Sequence, residues 1–231
     1  MYIPRLLQKN IERWLFHGKI IVIYGPRRVG KTTLVQHLLQ SNTDKKTLFL
    51  NGDDPDTRLN LTNKTSTALR QFLGSADLIV LDEAQRIRDI GLTLKLIVDT
   101  MPEKQVIATG ASSFDIANRI SEPLTGRMIP FFLSPFSLLE LRSIFSPLEL
   151  KRLFDSFLRF GLYPEILQKG EAEAKKLIGL TSDQYLYKDV LEFEQLRHPE
   201  ILQKILRALA LQLGNEVSFH ELANMIEVSK Q

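Results

Sequence analysis

Lys19-Ile20-Ile21-Val22-Ile23-Tyr24-Gly25-Pro26-Arg27-Arg28-Val29-Gly30-Lys31-Thr32-Thr33 is the stretch that decides the fold. Residues 19–24 are a short, largely β-branched run and read as a buried strand. Gly25 to Thr32 matches G-x-x-x-x-G-K-[ST], and Thr32–Gln40 reads as a helix. A chain of this length meets the bare pattern by chance with a probability of about 1%. The context adds to it, because the motif follows a strand and opens a helix. Glycines let backbone N–H groups face phosphates at close range, and a helix N-terminus adds positive potential. Gly25, Pro26, Arg27, Arg28, Val29, Gly30, Lys31, Thr32 and Thr33 are therefore the candidate phosphate cradle. In it, Lys31 would neutralise β- and γ-phosphates and the Thr32 hydroxyl would ligate Mg²⁺.

A second signal is Leu78-Ile79-Val80-Leu81-Asp82-Glu83, four apolar residues followed by two acids. Asp82, at the end of a strand, would hold Mg²⁺ through water, and Glu83 would act as general base on an attacking water. The plainer reading of Glu83 is an acid stabilising the start of the next helix. An acid pair here points to P-loop folds with an extra strand between the P-loop strand and the acid-bearing one. Such folds place a polar residue at the end of the inserted strand. Ile107-Ala108-Thr109-Gly110-Ala111-Ser112-Ser113 supplies it: Thr109 or Ser112 would sense the γ-phosphate or hold the water, and helix capping by Ser112 or Ser113 is the alternative. Arg127, after Gly126, is suited to stabilising transferred charge in cis or from a neighbouring subunit; a surface residue or an internal salt bridge is the bland alternative. Asn63-Lys64-Thr65-Ser66 lacks the aspartate of a guanine-reading motif. Asp82-Glu83-Ala84-Gln85 resembles a helicase box, but no further helicase signature follows.

Working outward, Leu6, Leu7, Ile11, Trp14 and Leu15 mark a helix over 4–16. Further strands are expected at Thr47–Leu50, Leu78–Leu81, Gln105–Thr109 and Met128–Leu133, with helices over 32–40, 65–73 and 87–101 between them. The segment Asn51–Asp56 reads as a turn. This alternation implies an α/β fold with a parallel sheet covered on both faces. After Phe145-Ser146-Pro147 no strand is evident. Helical spacing covers 148–160, 172–191, 201–213 and 218–227, so a boundary is placed at about residue 146.

Composition agrees with a globular chain: 231 residues, 44% hydrophobic and 25% charged. There is no cysteine, which excludes disulfides, cysteine-ligated metal and thiol nucleophiles. His17, His37, His198 and His220 have no ligand spacing. The net charge is +3, yet residues 1–46 carry nine Lys/Arg against Glu12 and Asp44, leaving −4 for the remainder. A basic first segment suits a polyphosphate, and a solvated basic helix face is the bland alternative. The N-terminus has no signal-peptide core, and Met128–Leu141 is too short and too broken by Pro130, Ser134, Pro135 and Ser137 to cross a bilayer. A cytoplasmic protein without a membrane contact is expected.

The ordered set GPRRVGKTT, LIVLDEAQ, ATGASS, LTGR, LSPFSLLEL and FGLYPE resembles the prokaryotic AAA-like P-loop ATPases with a winged-helix-containing C-terminal region, over nearly the whole chain. The resemblance implies a five-stranded parallel sheet of the AAA/ASCE type at 1–146 and an all-helical domain at 147–231. It implies ATP and Mg²⁺ as ligands, with Lys31, Thr32, Asp82, Glu83, Ser112 and Arg127 at the matching positions. It also places Arg5 near the nucleotide. Residues 218–227 look like the first helix of a partial winged helix-turn-helix, and 228–231 like the turn after it. The chain thus reads as truncated before a recognition helix, so sequence-specific DNA binding is not expected. The leading expectation is Mg²⁺-dependent ATP binding with slow hydrolysis to ADP, in a monomer or a homo-oligomer. The alternatives are a nucleotide-dependent regulatory switch with negligible turnover and a DNA-associated regulatory module.

Overall fold

A computed structural model of the chain describes residues 2–110, 123–167, 169–181 and 199–226. The chain divides into two compact units, Met1–Glu171 and Ala172–Gln231. The first is built on strands β1 Ile20–Tyr24, β2 Thr47–Asn51, β3 Leu78–Asp82, β4 Gln105–Gly110 and β5 Met128–Phe132. They form one sheet in the order β2-β3-β4-β1-β5, with every pairing parallel. The strand bearing Thr109 is thus the inserted one, lying between the P-loop strand and the acid-bearing strand.

Alternation along the strands buries both faces of this sheet. Ile21, Ile23, Leu78, Val80 and Ile107 pack with Ile11 of α1 (Leu6–Glu12) and Leu34, Val35 and Leu38 of α2 (Lys31–Ser41). Ile20, Val22, Ile79, Leu81, Val106 and Ala108 pack on the other face. Their partners are Leu61 of α3 (Pro55–Leu61), Leu69 and Leu73 of α4 (Ser66–Leu73), and Leu94 and Ile97 of α5 (Ile90–Thr100). A parallel sheet needs helices on both sides for this reason, since neither set of apolar side chains can be left in water.

Several element ends differ from expectation, each for a local reason. The first helix stops at Glu12 rather than residue 16, where Phe16 and Gly18 take positive φ angles of 60° and 65°. The supposed turn after β2 leads straight into α3. The Asp54 carboxylate accepts from the backbone N–H of Asp56 and Thr57, and Pro55 fills the first helical position. Turn-favouring residues are also helix-capping residues, so the sequence pattern hides this helix. The helix expected from 87 begins at Ile90, after a 3₁₀ turn at Ala84–Arg86 and a left-handed Asp89.

Beyond β5 the first unit adds α6 (Leu138–Leu141) and α7 (Pro147–Phe160). The boundary expected at 146 falls on Ser146, which caps α7 in a reciprocal capping box with Glu149, and the compact unit continues through Glu171. In the second unit the described elements are all helical: α8 (Glu171–Thr181, whose first residue closes the first unit), α9 (Pro199–Leu211) and α10 (Phe219–Met225). α10 is capped by the Ser218 hydroxyl, which accepts from the Glu221 N–H. The helix expected to 191 is described as far as Thr181, and the turn expected at 228–231 lies outside the described residues. Among the described residues no helix is long and apolar enough to cross a membrane.

Candidate nucleotide site

The P-loop leaves the end of β1 at a point where only glycine fits. A Cβ on Gly25 would lie 2.1 Å from the Leu133 carbonyl oxygen. The loop closes at Gly30, which caps α2 with φ of 96°, a left-handed conformation that glycine adopts without steric cost. Val29 is fully buried in the core between these two points, Arg27 is half-buried, and Arg28 and Thr33 are exposed.

Lys31 is 5% exposed, and its ammonium donates to the Gly25 and Pro26 carbonyls at 3.0 and 2.9 Å. The cation is thus held over its own loop. Thr32, one residue on, donates from Oγ1 to Asp82 Oδ2 at 2.7 Å. This bond joins the first turn of α2 to the C-terminal end of β3.

Asp82 is 4% exposed. Its other oxygen accepts from the Thr109 hydroxyl at the end of β4, and that hydroxyl in turn accepts from the Glu83 N–H at 3.3 Å. Glu83 leaves the strand with φ of 50°, a left-handed conformation uncommon outside glycine. Gly52 makes room for this corner: its N–H donates to the Asp82 carbonyl at 2.8 Å, and a Cβ there would meet the Glu83 carbonyl oxygen at 2.3 Å. The Glu83 carboxylate accepts from Gln85 Nε2 at 2.5 Å. Lys31, Thr32, Asp82, Glu83 and Thr109 therefore converge at the C-terminal edge of the sheet. Ser112 and Ser113 lie outside the described residues.

Arg5 serves the loop from behind. Its guanidinium donates to the Val29 carbonyl at 2.9 Å, to the Ser134 carbonyl at 2.5 Å and to Glu140 Oε1 at 3.0 Å, and it lies 4.3 Å above the Phe136 ring. Glu140 also accepts from the N–H groups of Leu6 and Ser137 and from the Ser137 hydroxyl. Burial opposes its charge, but the Ser137 and Leu6 amides together with Arg5 outweigh it and hold the carboxyl below its ordinary range. Sequence reasoning missed Glu140, although Ser137-x-x-Glu140 spells a capping box that the structure forms. The late FGLYPE segment also reaches the loop. Glu165 pairs with Arg28 at 3.0 Å, and Pro164 Cγ lies 3.9 Å from where a Gly30 Cβ would stand.

Arg127 stands apart from this group. Its carbonyl accepts from the Ile20 N–H, which places it beside the first residue of β1, at the sheet edge opposite the P-loop. The intervening strand spans about 16 Å at the usual rise per residue. Its guanidinium pairs with Asp99 Oδ1 at 2.6 Å, and this hydrogen bond holds the Asp99 carboxyl below its ordinary range. It does not reach the phosphate cradle of its own chain.

The donor set at the sheet edge fits a small hard cation. The Thr32 hydroxyl and the Asp82 carboxylate are oxygen donors already within hydrogen-bond distance of each other, which suits Mg²⁺ bound through few protein ligands. Among the described residues there is no cluster of three or more His, Asp or Glu for a larger metal site.

Residues 17–142 match a family model described as an AAA domain, and residues 151–231 match one described as a domain of unknown function. An uncharacterised protein of Methanocaldococcus jannaschii is 26% identical over 96% of this chain and 53% of its own length. An uncharacterised protein of Mycobacterium tuberculosis is 32% identical over 52% of this chain and 26% of its own. The chain thus spans about half the length of the first relative and about a quarter of the second. The solved structure of a Walker-type ATPase of Pyrococcus abyssi covers 98% of this chain, with 88% of its own length matched, a TM-score of 0.55 and 15% identity, a likeness of fold. With the AAA model matching more than half of the residues, this chain belongs to the AAA family of P-loop, ATPase-like nucleotide-binding proteins.

Proposed function

We propose that this chain binds ATP with Mg²⁺ and hydrolyses it slowly to ADP and phosphate. The observation that carries the proposal is the 2.7 Å bond from Thr32 to Asp82, with Glu83 adjacent, at the mouth of the loop that Lys31 closes. The backbone N–H groups of residues 25–33 bind the phosphates, and Lys31 exchanges its carbonyl partners for β- and γ-phosphate oxygens. Thr32 and Asp82 would hold Mg²⁺, which supplies charge neutralisation at the phosphates. Thr109 keeps the Asp82 carboxylate oriented. Glu83 accepts the proton of the attacking water. Arg5 holds the P-loop through the Val29 carbonyl rather than meeting nucleotide.

Two variants test this. Lys31→Ala should abolish ATP binding measured by calorimetry, with the fold intact by circular dichroism. Glu83→Gln should bind Mg²⁺-ATP as the wild type does and release no phosphate. Wild-type affinity in the first, or wild-type turnover in the second, rejects the assignment.

A second reading is a nucleotide-dependent switch with negligible turnover. It draws on the position of Arg127, which leaves the isolated chain without that arginine at its own phosphates. In this reading a neighbouring copy supplies Arg127 in trans, and hydrolysis awaits assembly.

A further inference from the structure

Gln85 stands beside the proposed general base with half of its amide unused. Its Nε2 donates to Glu83 Oε2 at 2.5 Å. A carboxylate only accepts, so the NH₂ end of the amide must face Glu83 and the carbonyl end must face away from that bond. That carbonyl oxygen is buried and has no hydrogen-bond partner among the described residues. A buried acceptor without a donor costs free energy, and proteins keep few of them without a reason. The two heteroatoms of one amide share a carbon, so this acceptor lies next to the amide–carboxylate contact. The corner is held firmly: Glu83 sits at a left-handed φ, and its N–H is bound to Thr109.

We propose that Gln85 completes the hydrolytic site: Nε2 fixes the Glu83 carboxylate, and Oε1 accepts a hydrogen from the attacking water. The inference rests on the hydrolytic reading given above. A water molecule that attacks phosphorus must aim a lone pair at it, so both of its hydrogens need acceptors. Glu83 Oε1 takes one and Gln85 Oε1 the other. In the reaction the water oxygen bonds to the γ-phosphorus and the bond to the β,γ-bridging oxygen breaks. ADP leaves with that electron pair, and the water proton passes to Glu83, which later returns it to phosphate or solvent. Gln85 gains and loses no proton; it fixes two directions, that of the base and that of the nucleophile.

The experiment compares Gln85 variants of the full chain with the wild type, with Mg²⁺-ATP affinity read by calorimetry and phosphate release read in single turnover. Gln85→Leu in the wild-type background should lower the rate at least about tenfold, the loss of one hydrogen bond to a charged group. Affinity should stay within about twofold, because Gln85 touches no phosphate. A rate within twofold of wild type, or a loss of affinity as large as the loss of rate, overturns the inference. If Gln85→Leu does not fold, Gln85→Glu replaces it: it keeps an acceptor, loses the donor at neutral pH, and should slow turnover with Mg²⁺-ATP affinity within about twofold of wild type. Wild-type protein that binds Mg²⁺-ATP but releases no phosphate above the Glu83→Gln background removes the hydrolytic reading, and this inference with it. Normal wild-type turnover with an unaffected Gln85 variant removes only the inference.

Discussion

Gly25 shows how much can hang on a missing atom. Its Cα faces the Leu133 carbonyl so closely that a methyl group would lie 2.1 Å from the oxygen, which is backbone and cannot rotate away. Gly25→Ala must therefore push β1 away from the segment after β5, or distort the P-loop. The expected cost is about 1–3 kcal/mol, as for other overpacked sites. A denaturant titration should show a lower midpoint with an unchanged slope. ATP affinity should fall as well, since the loop opens from this residue. An alanine variant as stable as wild type, with wild-type affinity, would mean that the loop relaxes freely. The motif supplied the identity of this glycine, and its packing partner lies 108 residues away, beyond the reach of any local pattern.

Among elements, the short helix α6 has an effect out of proportion to its four residues. It presents Glu140 to Arg5, and Arg5 holds the P-loop at Val29, so α6, the N-terminal segment and the phosphate cradle share one buried ion pair. Removing one partner leaves the other charge buried, which costs about 3–5 kcal/mol in comparable pairs. The Glu140 carboxyl is held below its ordinary range, so its contribution is fully present above the unfolded value of about 4.3 and is lost as pH falls through the lower folded value. The thermal midpoints of wild type and Glu140→Gln should therefore differ most near pH 7, and the gap should close in acid. A gap independent of pH would mean that the charge of Glu140 does not matter. Both α6 and α3 escaped sequence reading because their starts are written in serine, aspartate and proline, residues that also spell turns.

At the scale of the whole molecule, the sheet decides what Arg127 can do. A parallel strand order puts every βα turn at one edge, and Arg127 enters β5 at the other. A catalytic contribution must then come from a second copy. In that case wild-type specific activity rises with protein concentration, and Arg127→Ala removes the rise while leaving ATP affinity unchanged. Mixing Arg127→Ala with Glu83→Gln protein should recover part of the turnover, because each supplies what the other lacks. Turnover that is independent of concentration in both proteins leaves Arg127 as the ion-pair partner of Asp99 alone.

The local order of residues by itself determined the class of fold and the core of the candidate site. Strand runs of five or so apolar residues, the glycine spacing of the P-loop and the acids ending β3 are short-range patterns, and each carries its own chemistry. Thr109 was legible as a polar residue ending a strand, but not as the hydroxyl that touches Asp82, because that contact depends on β4 lying beside β3. Arg127 was legible as an arginine after glycine in a loop. Its edge of the sheet followed only from strand direction. Glu140 and Gln85 acquire their roles from partners brought together by the fold, across 135 residues in one case and around a left-handed corner in the other. Sequence patterns record what neighbours along the chain can do. Burial, pairing and the direction a side chain faces arise only when distant segments share one core.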